Sequence, residues 1–132
     1  MASSTVLRAG ALVASLAALT IGPAGVAGAK DRDDVRVAGR CSGTSTAKLK
    51  LSEEHRLIET EFEVDSNRTG QRWHVVLRRN GTVVLNRFAV TRPPSGSFEV
   101  RRLLADGPGT ETITAWARNV RTGEVCRASA TW

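Results

Sequence analysis

The sequence predicts an all-β domain: a Greek-key sandwich of seven to eight short strands closed by one disulfide. Three observations carry this. Apolar and polar residues alternate with period two along most of the chain, and no convincing helix is found. Turn chemistry recurs at short, regular intervals. The two cysteines, Cys41 and Cys126, stand near the two ends of the alternating region.

The chain begins with a different kind of segment. Arg8 is followed by an uncharged apolar run over 9–21, a Gly22-Pro23 break, and the small residues of Ala27-Gly28-Ala29 before Lys30. Those are the parts of a secretory signal peptide over 1–29, cut after Ala29. The run is shorter than the roughly 20 apolar residues that span a bilayer. A charged lead over 30–34 is expected to be disordered, and the folded domain occupies 35–132. The exported product is therefore expected to be secreted and extracellular. In such an oxidising compartment two cysteines pair by default.

The strands come in order along the chain. Val35 and Val37 lead to Cys41. Ala47, Leu49 and Leu51 alternate with Lys48 and Lys50, and a polar turn comes next over 52–55. Ile58, Thr60, Phe62 and Val64 alternate with Glu59, Glu61 and Glu63. Trp73, Val75 and Leu77 form the inward set of the next strand. Asn80-Gly81 then marks a two-residue hairpin, because its type I′ turn needs positive φ at both central residues. This pairs Trp73 with Phe88 and Leu77 with Val84. It also sets Asn86 against the core beside Val75, an awkward place that suggests a bulge near Asn86. Phe98 and Val100 open another strand. Ile113, Ala115 and Ala117, then Cys126, Ala128 and Ala130, are the inward sets of the last two.

Charge is divided unevenly. Residues 30–65 hold seven Lys/Arg and nine Asp/Glu, whereas 66–132 hold eleven Arg and four acids. A basic half serves solubility, and it also suits an anionic partner. Chemistry is sparse. There is no Tyr, and His55 and His74 lie apart without metal-ligand spacing. Ser66, His74 and Asp65 lack a nucleophile elbow. The row Glu59, Glu61, Glu63 reads as the solvated side of a strand. The reading is non-enzymatic, with no catalytic residue, metal or cofactor.

Trp73, with the segment from Thr112 through Trp116 to Asn119 and on through Thr122-Gly123-Glu124 to Cys126, resembles strand C and the final hairpin of immunoglobulin-like and fibronectin-like sandwiches. The mature chain is similar to small secreted proteins of this kind from high-GC Gram-positive bacteria. The resemblance implies an immunoglobulin-like Greek-key sandwich and transfers no ligand site. Its disulfide departs from the antibody pattern: Cys41 ends the first strand and Cys126 lies in the last, so the bridge ties the terminal strands together.

If the strands at 71–79, 82–90, 111–119 and 124–132 share one sheet, its outer face gathers Trp116, Val76 and Leu85 with Arg78, Arg87 and Arg118. Apolar area ringed by arginine is what a binding surface needs. The expected partner is an anionic polymer or a protein at the cell envelope. The alternative role is a protease inhibitor acting through the loop at 92–96, which runs from Arg92 through Pro93, Pro94 and Ser95 to Gly96.

Overall fold

The computed structural model describes residues 33–132. The expected signal peptide, its expected cleavage point and the first part of the charged lead lie outside the described residues. Asp33 and Asp34 are described, and Asp34 is ion-paired with Arg36 at 2.6 Å.

Among the described residues there are nine strands and no helix. They are β1 (Val35–Ala38), β2 (Arg40–Cys41), β3 (Thr46–Glu54), β4 (Leu57–Asp65), β5 (Arg72–Arg79), β6 (Thr82–Val90), β7 (Ser97–Ala105), β8 (Thr112–Asn119) and β9 (Val125–Thr131). All pairings are antiparallel. One sheet has the order β1-β3-β4-β7 and the other β2-β9-β8-β5-β6. The last four strands of the second sheet are the four that the sequence grouped together.

Alternation gives each sheet its buried side. Leu49, Leu51, Ile58, Phe62 and Val64 from the first sheet meet Trp73, Val75, Leu77 and Ile113 from the second, all fully buried. Trp73 packs against Phe98 with ring centroids 6.0 Å apart. Each such side chain contributes about 1.5–3 kcal/mol of apolar burial.

The first strand differs from its expected form. Val35, Val37 and Cys41 share one parity, which reads as a single strand. Instead the chain changes sheets at Gly39. β1 pairs with β3 in one sheet and β2 with β9 in the other. Gly39 fits because a Cβ there would lie 2.8 Å from both the Ala47 Cβ and the Arg127 carbonyl oxygen. The disulfide then joins Cys41 to Cys126 directly across β2 and β9. It thus ties the terminal strands together as the sequence implied. A loop of 85 residues is closed, worth roughly 4–5 kcal/mol on the chain-entropy view.

Two hairpins set the register of β3 to β6. β3 runs on through Glu54, so the turn expected over 52–55 falls instead at His55 and Arg56, both with positive φ. The Asn80-Gly81 turn forms as expected, with positive φ at both residues and Arg79 opposite Thr82. Beyond it the pairing slips by one. Arg78 faces Val83 but Leu77 faces Leu85, which leaves Val84 as the extra residue of a bulge. The expected pairs of Trp73 with Phe88 and Leu77 with Val84 are therefore replaced by Trp73 with Ala89 and Leu77 with Leu85. The bulge forms two residues earlier than Asn86, and it turns Asn86 away from the core.

Candidate binding face

The two outer faces of the sandwich have opposite characters. On the first sheet, Glu59, Glu61, Glu63 and Glu99 share the surface with Lys48, Lys50 and Arg101. Lys48 meets Glu63 at 3.4 Å, Lys50 meets Glu61 at 3.0 Å, and Arg101 donates to Glu59. The hydrogen bond from Arg101 holds the Glu59 carboxyl below its ordinary range. The bond to Glu61 raises the Lys50 ammonium. Burial, then the neighbouring Glu61 and Glu63, raise the Glu99 carboxyl. The carboxylate row is the ion-paired outer surface of that sheet.

The second sheet presents rows of a different kind. Register places Arg40, Arg127, Trp116, Val76 and Asn86 side by side across all five strands. The next row is Val125, Arg118, His74 and Phe88, with Arg72 and Val90 beyond it. On the other side lie Ser129, Thr114, Arg78 and Val83. Among the described residues this face carries five exposed arginines, Arg40, Arg72, Arg78, Arg118 and Arg127, and no carboxylate. None of the five enters an ion pair with a described residue.

Rings fill the centre of the face. His74 stands edge-on to Trp116 at 5.5 Å and lies 5.1 Å from Phe88. The Arg72 guanidinium caps Phe88 at 3.9 Å from the ring centroid, a cation–π contact. His74 Nε2 and Asn86 Oδ1 are hydrogen-bonded at 2.6 Å. Phe88, Val83 and Val90 are about half exposed, whereas Val76 is covered by its neighbours.

The structure brings Trp116, Val76, Arg78 and Arg118 together on this face. It moves the other two sequence candidates. Leu85 faces inward opposite Leu77 and packs on the core. Arg87 lies opposite Val75, on the core side of the sheet but at its open edge, where it stays exposed. The Val84 bulge is the cause, since one extra residue exchanges the two faces of a strand. Phe88 and Asn86 take the vacated positions. The apolar triplet Val83, Val84, Leu85 hides this in the sequence because it has no alternation. Arg40 was missed for another reason: only the sheet change at Gly39 lines it up with Arg127.

The remaining candidates do not converge. Ser66 Oγ donates to its neighbours' carbonyls at Arg68 and Gly96, and Asp65 Oδ1 accepts from the Asn67 amide. Both lie apart from the His74–Asn86 pair. Among the described residues, the one His/Cys/Asp/Glu group compact enough for a metal ion is Cys41, Glu124 and Cys126, and both its sulfurs are spent in the disulfide. In the 92–96 loop, Pro93, Pro94 and Ser95 are exposed. However, the Gly96 carbonyl accepts from the Ser66 amide and the Arg92 carbonyl from the Gly96 amide. Gly96 is buried against Arg68, at positive φ and with no space for a Cβ. No family model and no curated protein matches the chain.

Proposed function

We propose that this chain is a secreted, non-enzymatic binding module of the immunoglobulin-like class. It engages an anionic partner at the bacterial cell envelope through the outer face of the β2-β9-β8-β5-β6 sheet. The observation that carries this is the contrast between the two faces. One sheet neutralises its carboxylates with lysine and arginine, while the other sets five arginines around Trp116, His74 and Phe88 with no acid among them. Leaving like charges adjacent costs stability, and a ligand of opposite charge offsets that cost.

Two further facts support the class. The chain makes a hairpin in one sheet (β3-β4), crosses to a hairpin in the other (β5-β6), returns through β7 and crosses again to a final hairpin (β8-β9). That order favours the fibronectin-like variant of the sandwich. A disulfide is a bond of oxidising compartments, which favours export.

The inhibitor role has less support. Protease-binding loops present extended backbone, and the 92–96 loop spends much of its own in internal hydrogen bonds.

The test is binding of the chain from Lys30 to Trp132 to inorganic polyphosphate over a salt series. Affinity should fall steeply as salt rises. The combined variant Arg78→Ala, Arg118→Ala, Arg127→Ala should lose it. Unchanged binding by that variant would sink the proposal.

A further inference from the structure

We propose that the unpaired half of the β9 edge, beside Arg40 and Arg127, takes an extended acidic segment of a protein partner as an added strand. This rests on reading the same face as the binding surface and says what kind of partner it takes.

β2 covers only part of its neighbour. Arg40 and Cys41 pair with Arg127 and Cys126, and there the strand stops, because the chain leaves the sheet at Gly39. The direction of the free groups is set by hydrogen-bond alternation. The Trp132 and Glu111 main chains exchange both bonds, and the Asn119 amide donates to the Glu124 carbonyl. Even-numbered residues of β9 therefore point their N–H and C=O toward β8. Odd-numbered ones point outward, as the bond from the Ser42 amide to the Val125 carbonyl shows. Among the described residues no strand is hydrogen-bonded to the outward groups of Ser129 and Thr131, although β1 packs close to β9 from the other sheet. These outward groups are a template for one more strand.

A shallow groove of about 810 Å³ lies next to this edge, and its walls include Ala38, Arg40, Trp116, Arg127 and Ala128. Its chemistry selects the occupant. A strand laid against β9 would set alternate side chains on the outer face, beside Arg40 and Arg127, and the others toward Ala38 and Ala128. Acidic residues alternating with small apolar ones match both sides. Asp33 lies beside Thr131, so the acids belong at the Arg127 end. A polypeptide fits better than a polyphosphate or glycan for two reasons. It alone supplies amides and carbonyls at strand spacing. In addition, arginine and aromatic residues without lysine, aspartate or glutamate are the composition of protein interfaces.

The experiment uses fluorescence anisotropy with four labelled probes: a capped hexapeptide of alternating valine and glutamate, its lysine counterpart, the glutamate peptide N-methylated at alternate amides, and inorganic polyphosphate. The glutamate peptide should bind. Affinity should fall about tenfold or more with either peptide change, or with Arg40→Ala plus Arg127→Ala, as expected for losing one or two charge-assisted or backbone hydrogen bonds. Amide exchange at Ser129 and Thr131 should slow in the complex. Ser129→Pro, which removes an outward N–H, should weaken binding at unchanged melting temperature; if that variant does not fold, the N-methylated peptide tests the same bond. Equal binding by the N-methylated peptide, or binding by polyphosphate alone, overturns the added strand and leaves the cationic face. No salt-dependent binding by any probe overturns both.

Discussion

Arg40 and Arg127 stand directly opposite one another on neighbouring strands, with Trp116 next in the same row. Like charges at facing positions destabilise a sheet by a few tenths of a kcal/mol when exposed. Arg127→Thr should therefore leave the fold intact and raise its melting temperature by about 1–3 °C, while weakening anion binding. A thermal melt and a salt-dependent binding curve on the same sample check both halves. A lower melting temperature would mean that the pair is not held against its own repulsion.

Gly39 is the point where the chain passes between sheets, and no side chain fits there. Gly39→Ala would force a methyl against the Ala47 Cβ and the Arg127 carbonyl oxygen. The expected cost is about 1–3 kcal/mol, the usual range for overpacking. The damage should be local, with faster amide exchange at Arg40 and Arg127 and little change in the β5-β6 hairpin. A variant as stable as the parent would show that the crossing has slack.

The β6 register offers the sharpest test of how the face is built. Deleting Val84 removes the bulge and restores a regular two-residue hairpin. Leu85 to Val90 would keep their partners, with Asn86 opposite Val76 and Phe88 opposite His74 on the outer face and Arg87 opposite Val75. The deletion should therefore cost only the partly buried Val84 side chain, about 1 kcal/mol, and preserve the His74–Asn86 hydrogen bond. His74 ring resonances in NMR should stay near the parent's, and a large shift would show that Val84 is not the extra residue.

That same bulge marks where the sequence stops being legible. Alternation identified the inward sets of β3, β4, β5, β8 and β9, because each of those strands has one fully buried face. It also made the charged outer row of β4 readable, since Lys48 and Lys50 sit at matching positions one strand earlier. β6 has only one neighbour, β5, and lies at the sheet's edge. Its inner positions include Arg87, and on β7, the other edge on that side, Arg102 likewise sits opposite the buried Thr60. Inward-pointing charges at open edges discourage pairing with other chains. They also erase the apolar pattern that would reveal the register. The sheet change at Gly39 was illegible for a different reason: it depends on Ala47 and Arg127, which are distant in sequence.

The two carboxylates with displaced titration on the first sheet predict opposite responses to pH. Glu99 is raised, by burial first and by Glu61 and Glu63 next. Its folded state binds the proton more tightly than the unfolded chain. The group therefore opposes folding at neutral pH, and the penalty fades as pH falls through the raised folded pKa and is gone below the ordinary carboxylate range. Glu59 is lowered by the hydrogen bond from Arg101. Its contribution is present above the unfolded pKa and is lost as pH falls through the folded one. Glu99→Gln should thus stabilise at pH 7. Glu59→Gln should destabilise at pH 7 by about 1 kcal/mol, a figure held down by the solvent that reaches Arg101. As pH falls, the Glu99 difference should fade first and be gone below the ordinary carboxylate range, while the Glu59 difference should persist until pH passes its lowered folded value. Melting curves of the two variants and the parent from pH 3 to pH 7 test this. The same sign for both variants at pH 7 would contradict the account of this face.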